Sequence, residues 1–498
     1  MFGFYVDWSG ERMTESSSLP RNIAETIYAQ GKQHGNRVAL IHPEEGWQLS
    51  FDEFLNKVDQ FRSGLRENKY QPSDRILLLM PLSLNLLSLI VAIYAEGIIP
   101  VLLDPRLSKN SIMRAIRLSH CQSIVSVQAL FRWRFIYWFL WLKDLYSVDT
   151  FSVGVRPLSD LLGSTKRHPC IAVQDQDTVM IALTSGTTGK PKVIARNHRI
   201  LFHQQIFCHQ YLPEVKTDVH LAGYPVSILQ SLTDGATTIF PDLQSDSNNI
   251  DNIVKYQVTR LSGPPGFLDR LATYLMEKKQ TLPQVKNILL GGAPIPRWLC
   301  ERLQQVFPQA KLSLVYGCSE CEPIGSGDGR AYVESQHDGY LIGQVLSELT
   351  VLQLPTGLPL FPGIFRLGLK GANVYTENQD FHDTGDLLEM DSDGNLWFMG
   401  RATDLIHSDQ GQIPAGIIES RLEQIPCLRR AAVVQKDDQT LVFIEVFKGV
   451  DWPPASQQLA EKILRDFHLT KTVFRIVSDI PVDARHQWKV QKGVLKNI

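Results

Sequence analysis

Residues 76–105 read ILLLMPLSLNLLSLIVAIYAEGIIPVLLDP, and the fold turns on how this stretch is parsed. From Ile76 to Ala95 it is almost wholly apolar and about the ~20 residues that a membrane-spanning helix needs. Pro81 and Asn85 interrupt it, however, and its texture changes along its length. Ile76–Met80 is a short apolar run of the kind that makes a strand buried on both faces. Ser83 is placed to cap a helix over Leu84–Ala95, which Gly97 would end. Ile98–Leu103 then reads as a second buried strand, closed by Asp104-Pro105. The parse is therefore strand–helix–strand on a parallel sheet, in preference to a transmembrane helix.

The same alternation continues outward. Strand-like runs at Val179–Leu183, Ala236–Phe240, Asn287–Leu290 and Lys311–Val315 are each followed by Gly, Pro or Ser punctuation, the pattern of α/β layers. Past Phe361 short strands and tight turns take over, as in Asp391-Ser392-Asp393-Gly394-Asn395 ahead of Leu396–Met399. After Gly400-Arg401 the order is helix (Ile417–Leu422), strands (Arg430–Val434, Thr440–Val446), helix (Ser456–Phe467) and strand (Val473–Ser478), a small α+β unit. The expected boundary lies near Ala402, giving domains 1–401 and 402–498. A chain of 498 residues, 44% hydrophobic and 20% charged, has ample material for more than one core. Its net charge of -2 gives no electrostatic reason for a nucleic-acid partner. Seven scattered cysteines do not read as a disulfide framework and fit a reducing, cytoplasmic setting. Cys318 and Cys321 have C-x-x-C spacing but no second ligand pair. Asp7, Glu11, Arg12 and Glu15 break any secretory signal at the N-terminus.

The sharpest chemical motif is Thr184-Ser185-Gly186-Thr187-Thr188-Gly189-Lys190-Pro191-Lys192, placed directly after a strand-like run. Glycines let successive N–H groups converge on one anion. Hydroxyls add donors, and Lys190 and Lys192 add positive charge, a set suited to a polyphosphate. The spacing is not that of a Walker P-loop. This stretch resembles the nucleotide loop of the adenylate-forming superfamily of acyl-CoA synthetases, peptide-synthetase adenylation domains and luciferases. Further motifs come in that superfamily's order. Gly291-Gly292-Ala293-Pro294 resembles its adenine-contacting turn. Tyr316-Gly317-Cys318-Ser319-Glu320 resembles the next motif, with Ser319 where Thr is usual. Asp383-Thr384-Gly385-Asp386 resembles the ribose motif, Gly400-Arg401 the end of the large domain, and the segment Pro481–Lys489 the C-terminal lysine motif.

The resemblance implies a large N-terminal domain of two packed sheets and a distorted β-barrel, with a small mobile C-terminal domain. It implies that Tyr316 stacks on adenine, Ser319 touches phosphate, Glu320 holds Mg²⁺, Asp386 accepts from the ribose hydroxyls and Arg401 reaches ribose or phosphate. Lys489 is then the mobile lysine that meets carboxylate and α-phosphate, and Lys192 belongs to the phosphate loop. The implied activity is ATP-dependent activation of a carboxylic acid, then transfer to CoA or a carrier-protein thiol. After adenylation the small domain would swing on Ala402-Thr403-Asp404.

Three departures bear on the phosphate loop, the second half-reaction and the substrate. Val193 stands where Gly usually comes after the loop. His407 and Gln410 replace a common Lys and Gly in the segment that lines the thiol's path. The lysine motif, together with Tyr224-Pro225-Val226 and Asp234–Thr238, is similar to that of olefin-pathway β-lactone synthetases and fatty-acid ligase-like proteins. In the β-lactone enzymes the acid's own β-hydroxyl displaces AMP. Acyl-pocket walls are expected near Tyr224–Ser231 and Gly263–Phe267, and no Asp stands at 223–228 to receive an α-amino group, which favours a fatty or aryl acid. An aromatic stretch from Phe131 to Trp141, with Arg132, Arg134 and Lys143, suits either a bilayer interface or a buried helix. A third reading, an inactive nucleotide-binding regulator, is opposed by retention of Lys192, Glu320, Asp386 and Lys489.

Overall fold

The computed structural model describes residues 5–6, 12–13, 22–103, 109–131, 142–149, 154–185, 191–377, 379–483 and 487–497. Packing divides the chain into two compact units, Met1–Asp218 with Val226–Phe240 and Val219–Pro225 with Pro241–Ile498. The whole of 402–498 lies in the second unit.

In the first unit the deciding stretch is a strand–helix–strand. Arg75–Leu79 pairs in parallel with Ile99–Leu103 on one side and Ser123–Ser126 on the other. Between them runs the helix Leu84–Ala95, whose first turn is capped when the Ser83 hydroxyl accepts from the Leu86 amide. Gly97 carries the chain out of the helix at φ +64°, a conformation that side chains disfavour. Apolar residues line both faces because the strands are central: Leu77, Val101, Ile124 and Ile181 are all 2% exposed or less. Among the described residues no helix is long and apolar enough to cross a membrane.

The seven-stranded sheet runs, edge to edge, 191–197, 178–185, 99–103, 75–79, 123–126, 144–147 and 156–157. Its two strands Thr178–Ser185 and Pro191–Asn197 are antiparallel, with Thr184 opposite Lys192 and Ser185 opposite Pro191. The two strands run up to either side of the glycine-rich segment.

Behind this sheet lies a buried ion group. Arg62 is fully buried and donates to Glu96 at 2.7 Å and to the carbonyls of His168 and Pro169 at 2.8 Å. Asp59, also buried, receives Tyr28 and Arg167. The arginine thus ties the segment leading into Thr178–Ser185 to the helices Phe51–Glu67 and Leu84–Ala95.

The second unit starts as a parallel sheet. Val219–Ala222, Arg260–Gly263, Asn287–Gly291 and Lys311–Cys318 pair in that order. Antiparallel strands continue it through Cys321–Asp328, Tyr340–Val345, Leu396–Arg401, His382–Met390, Ile364–Lys370 and Thr350–Leu354. The strand order ends at Thr350–Leu354. The turn between His382–Met390 and Leu396–Arg401 is held by Asp391, whose carboxylate accepts from the amides of Asp393 and Asn395 and from the Trp397 indole.

The C-terminal segment contains every element expected of it, with ends moved by a few residues. A hairpin of Leu405–Ser408 and Gly411–Pro414 leads into the helix Ala415–Leu422. Strands Leu428–Lys436, Gln439–Val446 and Thr472–Val477 form one sheet, and the helix Pro454–Asp466 lies in the connection between the last two, which are parallel. Its core includes Ala432, Val434, Leu441, Phe443, Ile480 and Leu495.

Candidate active site

Strand register brings the ribose motif and the arginine together. Asp386 and Arg401 are direct partners in the antiparallel ladder of His382–Met390 with Leu396–Arg401. Arg401 Nε lies 3.1 Å from Asp386 Oδ1. Tyr316, near the end of Lys311–Cys318, donates its hydroxyl to Asp386 Oδ2 at 2.6 Å. Asp386 is only 4% exposed, and burial raises its pKa, against the opposing pull of Arg401 and the Tyr316 hydroxyl. Burial likewise raises Tyr316, and the Asp386 charge adds to it. Tyr316 is thereby kept protonated as a donor while Asp386 offers its remaining lone pairs. Acceptance of two vicinal hydroxyls is what such a carboxylate can do chemically.

The turn after Tyr316 presents Glu320. Its main-chain carbonyl accepts from the Tyr375 amide at 2.7 Å, which fixes the turn. The carboxylate Oε2 stands 3.8 Å from His382 Nε2, and both side chains are 13% exposed. Cys318 belongs to the same cluster: the ligand atoms of Cys318, Glu320 and His382 all lie within 4.8 Å of one another. Burial, then the nearby Glu320 charge, pushes the Cys318 thiol up to about 12. A carboxylate in this position fits a hard cation such as Mg²⁺; the thiol and the imidazole beside it do not.

Gly291 ends its strand, and a Cβ there would meet the Val315 carbonyl oxygen at 2.5 Å. Only glycine lets the adjacent strand approach so closely. Gly292 then turns the chain at φ +83°. The turn is held from two directions: the Tyr224 hydroxyl donates to the Gly291 carbonyl at 2.9 Å, and the Trp488 indole donates to the Pro294 carbonyl at 3.0 Å. Trp488 immediately precedes Lys489, is 5% exposed, and packs on the Trp298 ring with the Arg430 guanidinium 4.6 Å over its centroid. Arg429 donates to Asp269 at 3.0 Å and also pairs with Glu445.

Lys489 itself is pinned at the backbone, its amide donating to Asp483 Oδ1 at 3.0 Å and its carbonyl accepting from the Asp483 amide. Its side chain remains exposed. Partial dehydration by the surrounding protein, with the nearby Arg401 charge, lowers the ammonium's pKa; Asp386, Asp483 and Asp404 oppose this. Lys489 therefore shares one electrostatic environment with Asp386 and Arg401. Gly186, Thr187, Thr188, Gly189 and Lys190 lie outside the described residues, as do the side chains of Thr184 and Ser185.

A model of the AMP-binding enzyme family matches residues 27–352. The chain belongs to the AMP-binding enzyme family. It is an enzyme of the acid–AMP-forming ligase kind. Over 96% of its length it is 24% identical to an olefin beta-lactone synthetase of Xanthomonas campestris pv. campestris, 96% of which is covered. It is 22% identical to a 4-chlorobenzoate–CoA ligase of Arthrobacter, with 96% and 95% covered. Its fold is that of O-succinylbenzoate coenzyme A synthetase of Bacillus subtilis, solved with ATP and magnesium ion, at a TM-score of 0.77 and 20% identity, with 94% and 98% covered.

In this AMP-binding enzyme three further residues stand beside the motif residues, and only His382 was without any mark in the sequence. Tyr224, expected near an acyl-pocket wall, donates its hydroxyl to the Gly291 carbonyl and so holds that turn. His382 precedes the ribose motif and carried no signal. Trp488 stands inside the lysine motif, directly before Lys489. In the other segment named for the acyl pocket, Gly263 leaves room for Phe267; a Cβ on it would meet that ring at 2.7 Å. Most of the aromatic stretch from Phe131 to Trp141 lies outside the described residues.

Proposed function

We propose that this AMP-binding enzyme uses ATP to activate an apolar, fatty-type carboxylic acid as its acyl-adenylate and then passes the acyl group to the thiol of CoA or of a carrier protein. The observation that carries the reading is the gathering of Lys489, Asp386, Arg401 and Tyr316 into one electrostatic cluster beside the Gly291–Pro294 turn. Asp386 holds the ribose hydroxyls and Arg401 steadies that carboxylate. The acid's carboxylate oxygen attacks the α-phosphorus, the bond to the pyrophosphate oxygen breaks, and pyrophosphate leaves. No protein nucleophile is needed. Lys489 bridges the two anions and offsets the charge that builds on phosphorus. Magnesium, held at Glu320, supplies further charge neutralisation when bound. Residues 184–192 hold the departing phosphates. The segment 402–498 acts as a domain that moves on Ala402-Thr403-Asp404 between the half-reactions. The setting is cytoplasmic.

A second reading is favoured by the likeness along nearly the whole chain to an olefin beta-lactone synthetase. There the substrate is a β-hydroxy acid. Its hydroxyl oxygen attacks the acyl carbonyl, a C–O bond forms, the bond to AMP breaks, and the hydroxyl proton passes to a base. Acid-dependent pyrophosphate release separates the two, measured with fatty, β-hydroxy fatty, aryl and amino acids, with and without CoA. Release accelerated by CoA with thioester formed supports the ligase. Release only with β-hydroxy acids, indifferent to CoA, supports lactone formation. ATP bound but no release with any acid would overturn both.

A further inference from the structure

Three donors of different hardness meet at one point beside the turn that follows Tyr316. Cys318 Sγ comes from the last residue of Lys311–Cys318, a Glu320 carboxylate oxygen from the turn after it, and a ring nitrogen from His382, the first residue of His382–Met390. All three side chains are partly buried, with ligand atoms within 4.8 Å of one another and the carboxylate and imidazole 3.8 Å apart. Around a tetrahedral ion with ligands at about 2.0–2.3 Å, such atoms stand roughly 3.3–3.6 Å apart. Small side-chain adjustments reach that geometry, leaving a fourth position for water or a substrate oxygen. Magnesium demands an oxygen shell and would use Glu320 alone. Thiolate and imidazole select borderline ions instead.

We propose that Cys318, Glu320 and His382 form a binding site for a borderline divalent cation of the Zn²⁺ and Co²⁺ type, which competes with Mg²⁺ for Glu320. Coordination by sulfur releases the thiol proton to solvent. The binding claim stands apart from the adenylation reading; only the competition rests on the Mg²⁺ role given to Glu320.

The test is titration of the reduced, nucleotide-free full chain with Co²⁺, monitored by absorption. One saturable site with a sulfur-to-cobalt charge-transfer band in the near ultraviolet is expected, and Zn²⁺ should displace it. Cys318→Ser should abolish the band, His382→Ala should weaken binding at least about tenfold, and Cys427→Ser should change neither. A band that survives Cys318→Ser, or affinity indifferent to His382→Ala, would overturn the site. X-ray absorption of the Zn²⁺-loaded unmodified chain guards against a variant that fails to fold. One sulfur at about 2.3 Å with N/O ligands at about 2.0 Å is expected, and an all-N/O shell overturns the site. Excess Mg²⁺ should lower the apparent Co²⁺ affinity. Its failure to do so removes the competition and the Mg²⁺ role of Glu320, while the band and the sulfur shell still decide the site.

Discussion

At the scale of single residues the site is a problem in charge. Lys489 acts as a cation, and its pKa is held below the ordinary lysine value of 10.5. Adenylation should therefore fall as pH rises through a value below 10.5, where the ammonium loses its proton. Pyrophosphate-exchange rates against pH check this, and Lys489→Arg should move the alkaline limb upward. Lys489→Ala should slow exchange by about 10²–10³-fold, the loss of one strong transition-state contact, with ATP affinity largely kept. Near-normal exchange in that variant would sink the assignment. Asp386 has the opposite sign. It must be ionised to accept from ribose, and burial raises its pKa above 3.8. Nucleotide affinity should thus decline on acidification earlier than an exposed Asp would dictate. Asp386→Asn should weaken ATP binding by about 10–100-fold, from lost charge-assisted hydrogen bonds of about 1.5–3 kcal/mol.

At the scale of elements, two contacts hold pieces of chain in place. The Trp488 indole fastens the lysine loop to the Gly291–Pro294 turn. Trp488→Phe keeps the ring against Trp298 and removes the donor. A neutral hydrogen bond is worth about 0.5–1.5 kcal/mol, so exchange should fall by up to about tenfold with little change in thermal stability. Unaltered exchange would mean that the indole only packs. The Arg62–Glu96 pair is of another kind, because Arg62 is fully buried. Glu96→Ala leaves a buried guanidinium without its closest carboxylate and should destabilise the first unit by about 3 kcal/mol, measured by denaturant unfolding. The elements themselves were largely legible in the sequence. Strand 75–79, helix 84–95 and strand 99–103 result from length, capping and a terminal glycine, which are local effects. Partners such as Arg62 and the 168–169 carbonyls were not legible, because they lie 106 and 107 residues apart in sequence.

At the scale of the whole molecule, thioester formation and β-lactone closure make different demands on residues 402–498. Thr403 lies in the expected swivel, between the Arg401 carbonyl that receives the Asp404 amide and the hairpin beginning at Leu405. Thr403→Pro removes backbone freedom there. A thioester-forming enzyme that must rotate residues 402–498 should keep pyrophosphate exchange and lose most acyl-CoA formation. An enzyme that closes a β-lactone within one arrangement should keep full turnover. Measuring both half-reactions on the one variant distinguishes them.

By itself the sequence determined the layered α/β fold, the strand that leads into the glycine-rich stretch, the order of elements after residue 402 and the motif strings. Those depend on periodicity, on glycine and proline, and on short polar strings, all encoded within a few residues. Only the tertiary structure decided which side chains meet. Asp386 faces Arg401 because two strands pair in one register, and His382 reaches Cys318 and Glu320 because different strands end at the same place. Tyr224 and Trp488 converge on one turn from far along the chain on either side. Such meetings are set by sheet register and core packing over long separations, for which no local string of residues carries a signature.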